Sequence, residues 1–132
     1  MAGRRVASAS LRKRPTEVRK ILIVDNSEII RSRLQSLVAD LDGATVVGMA
    51  TDARQALLLF QSVNPDLVIL DLRMPEGSGL DVLQEIKARS PSTQVAILTN
   101  YPYAAYRKRC AELGADYFFD KATEFEMFKT IL

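Results

Sequence analysis

The sequence predicts an α/β domain: a five-stranded parallel sheet, doubly wound by five helices. Three observations carry this. Short, wholly apolar runs rich in branched side chains, such as Leu67 to Leu70, fit strands buried on both faces of a sheet. These runs alternate strictly with segments of helical spacing. The links between them are short, so each right-handed crossover needs its own covering helix. For five such units the expected strand order is 2-1-3-4-5.

Residues 1 to about 19 are polar and basic, with Arg4, Arg5, Arg12, Lys13, Arg14 and Arg19 set among Ala and Ser and closed by Pro15; they read as a flexible tail, or as an electrostatic arm for an acidic partner. The domain proper spans 20–132. Ile21 to Val24 is the first strand, broken by Asp25-Asn26-Ser27, after which Ile30, Leu34, Leu37, Val38 and Leu41 mark the first helix. Thr45 to Met49 is the second strand. Asp52, with Gln55 three residues on, opens the second helix, and Asn64-Pro65 stops it.

The third strand ends at Asp71. A Pro75 to Gly79 turn and the Ser78…Asp81 capping spacing start the third helix, which Ser90-Pro91 closes. Val95 to Leu98 is the fourth strand, ending in Thr99. Tyr106, Cys110 and Leu113 form the inner face of the fourth helix, with Gly114 as its C′ residue. Tyr117 to Phe119 is the fifth strand, ending in Asp120-Lys121, and Thr123 with Glu126 is expected to cap a short last helix.

At 132 residues and 48% apolar content there is one core and no room for a second, output domain. A net charge of +2 gives no general grip on nucleic acid, and no run reaches the 18 or more apolar residues that a membrane span requires. The lone Cys110 excludes an internal disulfide framework and fits a reducing cytoplasm; on the core stripe it reads as a small hydrophobe. With no His, the chain offers no imidazole base, and any phosphoryl donor must be another molecule.

In the predicted order, strands 1, 3, 4 and 5 are neighbours about 4.8 Å apart. Each presents a polar residue at its exit: Asp25, Asp71, Thr99 and Lys121. Open α/β sheets bind ligands at this edge. Adjacent carboxylates raise each other's pKa, a cost that a Mg²⁺ ion between them removes. A carboxylate can act as a nucleophile toward phosphorus. Asp71 is then the expected nucleophile, the Lys121 ammonium stabilises the transferring phosphoryl oxygens, and Thr99 hydrogen-bonds the new group.

With ILIVDN (21–26), DLVILDLRMPEGSGLDVL (66–83), VAILTN (95–100) and GADYFFDK (114–121) in this order and spacing, the chain resembles the receiver domain of two-component response regulators, of the stand-alone, single-domain type. The resemblance covers about residues 20–132 and implies a flavodoxin-like fold. It implies that Asp71 is the phosphoacceptor, that the Arg73 main-chain carbonyl joins Asp25, Asp71 and the residue at position 26 around Mg²⁺, that Thr99 is the switch hydroxyl and that Phe118 is the switch aromatic. Two departures stand out. Asn26 replaces a usual acidic ligand, which predicts weaker Mg²⁺ binding. Lys121 is followed by Ala122 where many relatives have Pro, which removes the usual support for a cis bond.

The expected function is a phosphorelay switch rather than an enzyme. A histidine kinase or phosphotransfer protein phosphorylates Asp71, Thr99 moves toward the phosphoryl group, Phe118 turns inward, and the face of helix 4, strand 5 and helix 5 changes its affinity for a downstream protein or a second copy. Phe125, Phe128 and Leu132 form one stripe of the last helix, and Met127 and Ile131 a second, which fits either such a partner face or chain-end packing. The alternative is a pseudo-receiver, an interaction module independent of phosphorylation. An aspartyl phosphatase would need an acid two residues after Asp71, where Arg73 stands, and a flavin protein would need glycines in the loop after strand 1.

Overall fold

The computed structural model describes residues 4–5 and 18–132. Five parallel strands are present: β1 (Arg19–Val24), β2 (Ala44–Ala50), β3 (Leu67–Leu70), β4 (Gln94–Thr99) and β5 (Tyr117–Asp120). They alternate with α1 (Glu28–Ala39), α2 (Ala53–Val63), α3 (Gly79–Arg89), α4 (Ala104–Glu112) and a terminal 3₁₀ helix (Phe125–Ile131). The strand order is 2-1-3-4-5, as the alternation predicts.

Side-chain alternation along each strand divides the core in two. Ile21, Ile23, Leu67, Ile69, Leu98 and Phe119 pack with Leu34 and Val38 of α1 and with Phe125 of the terminal helix. Leu22, Val24, Val68, Leu70, Ile97 and Phe118 pack on the other face against α2, α3 and Cys110 of α4. Each buried Leu or Ile contributes about 1.5–3 kcal/mol, which makes the central strands the most firmly held part of the chain.

The helix signals differ in how they are realised. Asp52 Oδ1 accepts from the Gln55 N–H at 2.8 Å, but the Gln55 side chain reaches back to the Thr51 N–H rather than to that of Asp52. Asn64 ends α2 in the left-handed region at φ 46°. After α4, Ala115 N–H donates to Cys110 O and Gly114 N–H to Ala111 O, with Gly114 at φ +96°; this is the paired-bond ending that a C′ glycine permits.

Three expectations change. First, the first strand starts at Arg19, ahead of the expected Ile21; the Arg19 N–H donates to Gly43 O and its guanidinium to Ile131 O and Gln94 Oε1. Second, Arg4–Arg5 forms a two-residue strand antiparallel to β5, opposite Phe118 and Tyr117, so this part of the basic tail adds a sixth strand at the β5 edge. The remaining tail residues, 1–3 and 6–17, lie outside the described part. Third, the last helix is 3₁₀ and Thr123 does not cap it. The Glu124 carboxylate instead takes the Asp120 N–H at 2.8 Å, and the helix starts one residue later.

At three residues per turn the two expected stripes of this helix redistribute. Phe125 is buried, Ile131 and Leu132 both pack against the core, and Met127 is 37% exposed. No peptide bond among the described residues is cis, and that includes Lys121-Ala122.

Candidate functional site

Register brings the site together. Val24 pairs with Leu70, so the next residues, Asp25 and Asp71, leave adjacent strands side by side. Asp71 N–H donates to Val24 O at 2.9 Å and locks this alignment. On the other side of β4, Thr99 pairs with Asp120, and Lys121 N–H donates to Thr99 O at 2.7 Å.

All four predicted exit residues are buried: Asp25 is 2% exposed, Asp71 8%, Thr99 0% and Lys121 8%. Lys121 Nζ lies 2.7 Å from Asp25 Oδ2 and 3.4 Å from Asp71 Oδ2, so one ammonium serves two carboxylates and stands nearer the first. Among these side chains two carboxylates thus face one ammonium. Burial is the main reason that the Asp71 pKa is raised; the Lys121 ammonium lowers it, Asp25 raises it, and hydrogen bonds from Lys121 and the Arg73 backbone N–H lower it.

Ser27, Arg31 and Gly79, which the sequence did not single out for the site, contribute to it, as does Tyr101 in the loop after Thr99. Ser27 N–H donates to Asp25 Oδ1 at 2.8 Å while its own side chain caps α1. Arg31 Nη1 donates to Asp25 O. Tyr101 N–H donates to Thr99 Oγ1 at 3.0 Å and so holds the hydroxyl. Gly79 supports Asp71 from below, because a Cβ there would stand 2.2 Å from Asp71 O and 2.7 Å from Leu72 Cα. The only sequence signal for it was the glycine itself, which reads equally as part of a turn. Gly77, at φ +83°, is that turn's left-handed residue.

The oxygen donors suit Mg²⁺, which takes one or two carboxylates and keeps several waters. Asp25, Asp71 and the Arg73 carbonyl are the groups that could hold it, with the exposed Asn26 at the rim. Among the described residues no set of three His, Cys, Asp or Glu side chains is clustered as a ready cage, so much of the coordination sphere would be water.

Phe118 differs from expectation. Its ring is already inside, 1% exposed, and the Arg107 guanidinium lies over it at 4.4 Å from the centroid. In this structure the ring thus already holds the inward position. Cys110 is buried, and that burial pushes its thiol up to about 11, consistent with a packing role.

Known proteins resemble this chain in sequence and in fold. The transcriptional regulatory protein YdfI of Bacillus subtilis (strain 168) is 36% identical over 107 residues, which are 81% of this chain and 50% of that protein. The chain spans about half the length of the first curated relatives it matches. Among solved structures, the response regulator TrrA of Thermotoga maritima, in complex with Mg²⁺ and BeF, is 33% identical with a TM-score of 0.75, over 86% of this chain and 96% of that one. The non-phosphorylated HemR receiver domain of Leptospira biflexa is 30% identical with a TM-score of 0.77, over 85% and 89%. The family model of the response regulator receiver domain matches residues 21–132, and the chain accordingly belongs to that family, the receiver domains of two-component signalling.

Proposed function

We propose that Asp71 accepts a phosphoryl group from a phosphohistidine of a histidine kinase or phosphotransfer protein. The observation that carries this reading is the placement of Lys121 Nζ within 3.4 Å of carboxylates from two different strands, all three side chains being buried. An Asp71 carboxylate oxygen forms the new bond to phosphorus. The donor's P–N bond breaks, and its electron pair stays on the imidazole, which takes up a proton. Lys121 holds Asp71 in place and neutralises charge on the phosphoryl oxygens. Asp25, Asn26, Asp71 and the Arg73 main-chain carbonyl would hold Mg²⁺, which would supply further positive charge at those oxygens.

Thr99 Oγ1 then exchanges its hydrogen bond from the Tyr101 N–H for a contact to the phosphoryl group. The state of the site is read by a downstream protein or a second copy at the face of α4, β5 and the terminal helix. The domain works in the cytoplasm, where such donors act, and makes no nucleic-acid contact of its own. The test is labelling by a phosphohistidine donor with Mg²⁺: the wild-type chain takes up label and Asp71→Asn does not. Equal labelling of the two would refute the assignment.

A further inference from the structure

We propose that Arg73 and Tyr101 form a clasp across the mouth of the Asp71 site, closed in the free protein and opened by phosphorylation, which passes the state of the site to a tyrosine stack at the start of α4. The inference rests on the reading of Asp71 as phosphoacceptor. Arg73 stands two residues beyond Asp71, and its backbone N–H hydrogen-bonds the Asp71 carboxylate. Its side chain is exposed, and the guanidinium lies 4.5 Å from the Tyr101 ring centroid. The contact therefore joins the loop after β3 to the loop after β4, the two that border Asp71.

Tyr101 is tethered twice: by its ring to Arg73, and by its N–H to the buried Thr99 hydroxyl. Beyond it the aromatic rings continue. Tyr101 and Tyr103 lie 6.2 Å apart, and Tyr103 stacks on Tyr106 at 5.9 Å and 29°. Tyr103 is the N-cap residue of α4 and makes no side-chain capping bond, so this stack stands where a capping hydrogen bond ordinarily fixes a helix start.

An exposed cation–π contact is a weak interaction, whereas a guanidinium binds phosphoryl oxygens through parallel charge-assisted hydrogen bonds. A phosphoryl group on Asp71 outcompetes the Tyr101 ring for Arg73, and it also draws Thr99 Oγ1 from the Tyr101 N–H. Both tethers of Tyr101 are released by one event. With Phe118 already buried beneath Arg107, this is the aromatic path free to respond.

The test is NMR of the Arg73 side-chain Nε–H and Hδ resonances, with Mg²⁺ and beryllofluoride as the phosphoryl mimic. In the free wild type these resonances are shifted upfield by the ring current, and the mimic moves them back downfield. In Tyr101→Leu they lie downfield from the start; Tyr101→Phe, which keeps a ring, restores the upfield position. An Arg73 signal that is the same in wild type and Tyr101→Leu overturns the clasp. So does one that stays put while the Asp71 and Thr99 amides respond to the mimic. If those amides do not move in the wild type, the phosphoacceptor reading itself fails, and the clasp with it.

Discussion

Asp71 carries its charge where burial works against it, and that has a consequence for stability. Its folded pKa is raised above the ordinary 3.8 by burial first, with Lys121 opposing and Asp25 adding to the rise. The folded state therefore holds this proton more tightly than the unfolded chain. The stability this group contributes is complete below the unfolded pKa and is lost as pH rises through the folded value. At pH 7 the ionised Asp71 is a cost, so Asp71→Asn raises the melting temperature there, and the gain disappears as the pH is lowered toward 3.8 and below. Lys121 retains Asp25 at 2.7 Å in that variant and is not orphaned. Lys121→Met has the opposite sign, since it strands two buried carboxylates. It costs about 3–5 kcal/mol by urea unfolding at pH 7, and added Mg²⁺ restores part of this. Asn26→Asp adds a third negative charge at the rim and raises Mg²⁺ affinity by about tenfold or more in a calorimetric titration: two unit charges about 4 Å apart are worth ~1 kcal/mol in bulk water and ~4 kcal/mol at an effective dielectric of 20, and about 1.4 kcal/mol is tenfold.

Among the elements, the terminal helix shows where local signals give way to tertiary ones. Thr123 and Glu126 have capping-box spacing, yet burial of Phe125 and the bond from the Asp120 N–H to Glu124 fix the start one residue later. Glu126 pairs with Lys129 at i, i+3, the neighbours that a three-residue turn brings into line. Thr123→Ala accordingly changes stability by no more than about 0.5 kcal/mol. Glu124→Ala costs about 0.5–1.5 kcal/mol through the lost hydrogen bond, and chemical denaturation separates the two. The signals that held, Asp52, Asn64 and Gly114, are those in which one residue's own backbone or side chain meets the need of the adjacent helix end. A spacing rule that depends on which apolar residue the core accepts could not be read from the sequence in the same way.

For the whole molecule, strand order was legible because alternation and short crossovers leave few ways to wind a parallel sheet, and the exit residues Asp25, Asp71, Thr99 and Lys121 then converge by register alone. What was not legible lay in contacts with no sequence period. Gly79 beneath Asp71, Arg107 over Phe118 and Arg73 over the Tyr101 ring are each set by distance across loops or faces. The sixth strand belongs with these. Arg4–Arg5 has neither apolar alternation nor branched side chains, and it pairs because β5 would otherwise offer open backbone groups at the sheet's edge. The two edges of the sheet thus differ, since among the described residues β2 has no outer strand in the sheet order. Removing residues 1–5 exposes the β5 edge and leaves β2 as it is. Hydrogen exchange of amides in Tyr117–Asp120 then speeds up by roughly fivefold, the equivalent of about 1 kcal/mol for a lost backbone hydrogen bond, while amides in Ala44–Ala50 keep their rates. Equal rates with and without the segment would show that the β5 edge is held by its own packing against Tyr117, Phe118 and Phe119, and that the added strand contributes nothing to it.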